Sequence, residues 1–181
     1  CFTAQTLNET IYDAVKNRRR LIIPYINIHA INLAFSNPLF RKFLDDSDYT
    51  ICDGHGIMLA AKMTGNAIPE KITYAEWLPK LASFCAQKKL SIYLLGGQPG
   101  VAEQAAKKLC SICPGLNICG THHGYFNKDL ESEENTNLIK MINESSPDIL
   151  LVCFGMPAQE MWLNDNRQQL NAFVMLSGGA A

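Results

Sequence analysis

The chain has 181 residues, 48% hydrophobic and 18% charged, a balance that excludes a disordered segment and fits one domain with a substantial core. A formal net charge of -1 gives no sign of a polyanion-binding surface, so no nucleic acid partner is expected. No apolar run reaches the length of a membrane span, no signal peptide opens the chain, and its abrupt limits at Cys1 and Ala181 read as truncation.

Thr6-Leu-Asn-Glu9 has capping-box spacing, with Leu7, Ile11, Ala14 and Val15 as a helical stripe behind it. The basic run Arg18-Arg19-Arg20 reads as a solvated helix end, where positive charge suits the macrodipole. A β-rich run follows from Leu21 to Asn27, then a helical stretch from His29 to Leu44 with a break at Asn37-Pro38. A short strand, Tyr49 to Cys52, ends on Asp53-Gly54-His55-Gly56, and Ile57 to Met63 reads as a buried helix. The helix Tyr74 to Lys89 leads to the strand Ser91 to Leu95, broken at Gly96-Gly97-Gln98-Pro99-Gly100, which opens the helix Val101 to Cys110. The strand Leu116 to Gly120, the helix Asn135 to Asn143, the strand Asp148 to Phe154, the helix Ala158 to Leu170 and the strand Ala172 to Leu176 complete the series.

Strands and helices alternate throughout, which predicts a single α/β domain over residues 1–181, with a Rossmann-like parallel sheet flanked by helices. Asn27, Asp53, Gly96-Gly97, Thr121-His122-His123 and Gly155 each follow directly after a predicted strand. The carboxyl ends of parallel strands share one edge, so these groups gather on a single rim, where ligands bind in such sheets.

Each motif on that rim has a functional and a structural reading. Gly96-Gly-Gln-Pro-Gly100 brings backbone amides and a helix start toward a phosphate, or is a tight turn that binds nothing. Asp53 accepts a proton or binds a ribose, or merely caps the next helix. In Gly155-Met-Pro-Ala-Gln-Glu-Met-Trp162, Pro157 suits the first helical turn, Gln159 and Glu160 face the ligand edge, and Trp162 and Leu163 pack inward. Cys110-x-x-Cys113, with Cys119, His122 and His123 nearby, has the residue types for zinc. Because these cysteines end a helix or fall within an apolar strand, the seven cysteines read instead as buried reduced thiols of a cytosolic protein. Asp46-Ser-Asp48 matches a metal-holding D-x-D but precedes its strand, so no metal is expected there.

Taken in order, Asn27-Ile-His-Ala-Ile-Asn-Leu-Ala34, Asp53-Gly-His-Gly56, Leu94-Leu-Gly-Gly-Gln-Pro-Gly-Val-Ala102, Gly120-Thr-His-His-Gly-Tyr-Phe126, Gly155 to Trp162 and Gly178-Gly179 resemble the WecG/TagA/CpsF family of bacterial glycosyltransferases, glycosyltransferase family 26, over essentially the whole chain. The resemblance implies an inverting, metal-independent transferase without a cofactor. It would move a sugar of the N-acetylmannosamine, N-acetylmannosaminuronate or glucuronate type from a UDP donor to a lipid-diphosphate-linked sugar in cell-surface polysaccharide synthesis. It further implies that Asp53 is the general base, that Asn27 and Gln159 lie near the reacting groups, and that Tyr125 stacks on the uracil. Tyr25, His29, Lys71, Thr73, Gly96, Gly97, His122, His123, Gly155, Pro157 and Glu160 are the accompanying substrate-binding positions, with the Gly96-Gly97 and Gly155 amides as donors to the departing UDP.

The chain departs from the family pattern in three places. Tyr25 stands where Thr is usual, and Lys71-Ile-Thr-Tyr-Ala-Glu76 stands for Arg-x-Thr-Gly-Ser-Asp. An Asp shortly after Gly178-Gly179 and a basic C-terminal tail are outside the chain. Through that tail the resemblance implies peripheral attachment to the inner face of the plasma membrane, and self-association is expected if apolar surface is left uncovered. Two rival functions fit the architecture: an NAD-dependent oxidoreductase, for which Asn27-Ile-His lacks the glycines, and a non-catalytic nucleotide-sugar-binding subunit.

Overall fold

The computed structural model describes residues 2–179. Strands β1 (Leu21–Ile23), β4 (Ser91–Gly96), β5 (Asn117–His122), β6 (Ile149–Cys153) and β7 (Val174–Ser177) form a parallel sheet in the order β1-β7-β6-β4-β5. Alternate side chains point to opposite faces of a strand, and both faces here are apolar. Leu21, Ile23, Ile92, Leu94, Ile149, Leu151, Val174 and Leu176 pack under helices α1 (Ala4–Lys16), α5 (Tyr74–Lys88) and α6 (Val101–Ile112). Ile22, Tyr93, Leu95, Leu150, Val152 and Met175 pack under α3 (Pro38–Asp45), α7 (Glu133–Glu144) and α8 (Ala158–Asn166).

Each face is anchored by a buried tryptophan whose indole N–H meets an asparagine, as a buried donor requires. Trp77 Nε1 donates to Asn8 Oδ1 at 2.9 Å, and Trp162 Nε1 to Asn135 Oδ1 at 2.7 Å. Asn135 in turn donates to Asn166 at 2.9 Å, joining α7 to α8.

The run from Leu21 to Asn27 is not one strand. Pro24 has no N–H to continue the ladder, so the chain leaves the main sheet there and re-pairs as β2 (Tyr25–Ile26) with β3 (Ile51–Cys52) in a separate two-stranded parallel sheet. The stretch from His29 to Leu44 divides as expected at Asn37, giving α2 (Ile28–Ser36) and α3, with Asn37 Oδ1 capping the latter.

Several local expectations are corrected. The capping box is Thr3 with Thr6, so Thr6 is the third helical residue rather than the cap. The helix at 57–63, α4 (His55–Met63), is not buried: it contains no buried residue, and Leu59 and Met63 are 62% and 80% exposed. β5 runs through Thr121 and His122 instead of ending at Gly120. Arg20 is not merely solvated; its guanidinium donates to the carbonyls of Arg167 and of Leu170, the latter at 2.8 Å, beyond the C-terminal end of α8. Asp46 pairs with Lys42 at 2.8 Å, and Asp48 accepts the Ile22 amide at 2.8 Å, so both carboxylates of the D-x-D serve the fold. Among the described cysteines, Cys52, Cys85 and Cys113 are buried, Cys119 and Cys153 half-buried, and Cys110 exposed. No helix among the described residues is long and apolar enough to cross a membrane.

Candidate active site

The rim at the carboxyl ends of the strands divides into a corner and a cleft. In the corner, the register Tyr25↔Ile51 and Ile26↔Cys52 makes Asn27 and Asp53 the next pair along the β2–β3 ladder. Paired strands lie about 4.8 Å apart, and the Asp53 amide still donates to the Ile26 carbonyl at 2.8 Å. Asn27 is the cap of α2, its Oδ1 accepting the Ala30 amide at 3.0 Å, which fixes its side chain against the first turn of that helix. Asp53 caps nothing: the cap position of α4 is Gly54, and no side chain bonds there. Half-burial raises the Asp53 pKa, opposed by nearby Lys71 and reinforced by Glu76. A raised pKa makes its carboxylate a stronger base. Lys71 and Thr73 reach this corner because the segment runs along β3, the Ile72 amide donating to the Cys52 carbonyl at 2.9 Å.

Next to Asp53 lies a buried polar knot. Gln159 and Glu160 do not face open solvent at the rim; both are wholly buried in the first turn of α8. Gln159 Oε1 accepts the amides of Phe154, Gly155 and Gly179, each at 3.2 Å, and its Nε2 donates to Glu160 Oε1 at 2.7 Å. One side chain thereby ties the end of β6 to the end of β7. Burial raises the Glu160 pKa, partly offset by the Gln159 hydrogen bond and by the nearby Ser177 hydroxyl. His29 is exposed at the start of α2, close enough for its charge to act on Glu160. Tyr25 closes the knot. Burial and the neighbouring Glu160 and Asp53 charges push its phenol up to about 12, and a Cβ on Gly179 would lie 2.8 Å from its hydroxyl. Pro157 stands at the cap position of α8, one residue before the first turn, after a cis bond from Met156.

Beyond the knot, the ends of β4, β5 and β6 open into a cleft of about 820 Å³, lined among others by Gly97, Gly124, Tyr125, Phe126, Lys128 and Phe154. Gly96 is required at its root: with φ +152, a Cβ there would stand 2.3 Å from the Cys153 carbonyl oxygen. Tyr125 is 66% exposed on the cleft wall, an aromatic face available for stacking. Two of the amides expected to meet a phosphate are engaged elsewhere. Gly97 N donates to the Cys153 carbonyl at 3.3 Å, and Gly155 N to Gln159. His122 and His123 close β5 beside the cleft rather than lining it; His122 Nδ1 lies 2.8 Å from the His123 carbonyl oxygen and their rings are 4.3 Å apart.

Sequence reasoning gave no role to Lys128, Phe154, Tyr74 or Ser177. Lys128 and Phe154 line the cleft, whereas the Tyr74 hydroxyl is buried without a partner and the Ser177 hydroxyl is buried near Glu160. In the sequence Lys128 reads as an ordinary solvated loop lysine two residues after Phe126. Among the described residues, no cluster of three or more His, Cys, Asp or Glu side chains is placed to hold a metal ion.

Against known proteins, residues 1–181 match the family described as Glycosyl transferase WecG/TagA/CpsF family. The N-acetylglucosaminyldiphosphoundecaprenol N-acetyl-beta-D-mannosaminyltransferases of Staphylococcus aureus strains NCTC 8325 / PS 47 and COL are each 25% identical to the chain over 174 residues, covering 96% of it and 66% of the relative. The protein of strain MRSA252 matches to the same extent. The chain therefore spans 66% of the length of these curated relatives. With the match extending over its full sequence, the chain belongs to the WecG/TagA/CpsF family of glycosyl transferases.

Proposed function

We propose that the protein is an inverting, metal-independent glycosyltransferase that moves N-acetylmannosamine from a UDP donor to a polyprenyl-diphosphate-linked N-acetylglucosamine. The donor class and the inversion come from the family resemblance, and the two sugars from the names of the relatives. The observation that carries the reading is the pairing of Asn27 with an uncapped, half-buried Asp53 on the same rim as an open cleft with an aromatic wall.

In this reading Asp53 takes the proton from the acceptor hydroxyl as its oxygen bonds to the anomeric carbon. The bond from that carbon to the UDP oxygen breaks, and UDP leaves as the anion. Asn27 holds the acceptor beside the base, and Tyr125 stacks on the uracil. Tyr25, His29, Lys71 and Thr73 shape the sugar end. Gln159 and Glu160 act from beneath, by fixing the loops at Phe154, Gly155 and Gly179. The acceptor places the protein peripherally at the inner face of the membrane.

Turnover of UDP-N-acetylmannosamine with a short-chain polyprenyl-diphospho-N-acetylglucosamine, in EDTA, tests the reading. Transfer that requires Asp53 supports it. Binding of NAD in place of UDP overturns it in favour of an oxidoreductase, and UDP-sugar binding without transfer favours a non-catalytic subunit.

A further inference from the structure

The cleft wall carries a cation to which the reading above assigns no role. Lys128 is half-buried, and its Nζ donates to the Gly124 carbonyl at 2.6 Å and the Phe126 carbonyl at 3.4 Å. The same atom lies 4.4 Å from the Phe126 ring centroid and 4.7 Å from that of Phe154. Among the described residues the ion pairs are Arg41–Asp45, Lys42–Asp46 and Lys140–Glu144, and Lys128 belongs to none of them. Glu134, the carboxylate that shares the cleft, accepts the Asn127 amide at 2.6 Å instead.

Lys128 is thus a partly desolvated ammonium held by carbonyls and ring faces with no counter-anion. Burial lowers its pKa, as removal from water disfavours the charged form. Aromatic faces and carbonyls offset part of that cost and aim the group, but a full negative charge is what such a site lacks. Two of the backbone donors expected in its place, Gly97 and Gly155, are occupied, by Cys153 and Gln159. Lys128 is the one cationic side chain among the described residues lining the cleft.

We propose that Lys128 is the anion-contacting residue of the cleft, receiving the diphosphate of the nucleotide donor while Tyr125 holds its base. This rests on the nucleotide reading of the cleft. A lysine contacts phosphate as a point charge with free rotors, which suits a diphosphate that must be released after transfer.

The test is calorimetric titration of the whole chain with UDP and with uridine, in EDTA, for wild type, Lys128→Met and Lys128→Arg. The expected result is a wild-type preference for UDP over uridine of roughly ten- to a hundredfold. That preference collapses in Lys128→Met with uridine affinity unchanged, and largely survives in Lys128→Arg. An unchanged preference in Lys128→Met overturns the proposal, as does equal wild-type affinity for both ligands. Parallel loss of UDP and uridine in Lys128→Met also overturns it, because Lys128 then only staples the 124–128 turn. If wild type binds neither ligand, the nucleotide reading itself fails and takes the proposal with it.

Discussion

At the ends of β4, β5 and β6 the rim is open, with Tyr125 exposed and glycines keeping the floor low, whereas at the ends of β7, β2 and β3 it is packed and polar. There Gln159 and Glu160 are sealed off from solvent, Tyr25 is nearly so, and Asp53 stands at the boundary. An open wall suits a ligand that arrives and leaves. A dry, cross-linked corner suits groups that must hold one geometry and one protonation state during a reaction. The two regions therefore predict separable phenotypes: substitutions in the cleft change binding, and substitutions in the corner change turnover or stability.

The sharpest test of that separation is Asp53→Asn. Loss of a general base costs roughly a hundred- to ten-thousandfold in rate, so turnover falls by that order while UDP affinity by calorimetry stays at the wild-type value. Weakened UDP binding in this variant would merge the corner with the cleft. Gln159→Ala comes next. It strands three amides, that of Gly179 buried and those of Phe154 and Gly155 partly so, together with the Glu160 carboxylate, and a loss of about 3 kcal/mol is expected. For a chain of this size, that lowers the thermal midpoint by roughly 6–12 °C. A midpoint within a degree of wild type would show that Gln159 ties nothing together.

Tyr125→Ala sharpens the comparison from the other side. Base stacking on an aromatic is worth about 1–3 kcal/mol, so UDP affinity drops with no change in thermal midpoint, as calorimetry and melting together will show. The smallest effect is a pH dependence. Glu160 has its folded pKa raised above the ordinary 4.5, so the folded state binds its proton more tightly than the unfolded chain. Stability from this group is full below about 4.5 and is lost as pH rises toward the folded value. Glu160→Gln keeps the acceptor for Gln159 and removes the titration. Melting curves across that window should decline in wild type and flatten in the variant; parallel slopes would sink the assignment.

The sheet and its rim were legible in the sequence because alternating apolar strands and helices leave little choice of architecture, and strand ends are marked by Asp53, Gly96 and Gly155. Other features depended on tertiary packing. The apolar run 57–63 has the composition of a buried helix, yet among the described residues no element covers Leu59 and Met63. Gln159 sits in a first helical turn, from which a side chain can reach outward to a ligand or back under the preceding loop. The choice was made by three amides at the ends of the neighbouring strands β6 and β7. Lys128 was overlooked because a lysine after a Tyr-Phe pair looks like any solvated turn residue until its ammonium is seen over two rings. Pro24, by contrast, announced the division of its strand and was passed over.

Pro24 also sets how tightly the acid corner is closed in time. The ladder it starts has two residues in each strand, fastened by Ile51 N to the Pro24 carbonyl at 2.9 Å, Asp53 N to Ile26 and Ile72 N to Cys52. Opening so short a ladder frees few amides, while β4 and β6 open only with the whole sheet. In hydrogen-exchange terms, the amides of Ile51 and Asp53 are expected to exchange far ahead of those in β4 and β6, making the β2–β3 ladder a locally breathing edge beside the cross-linked Gln159 knot.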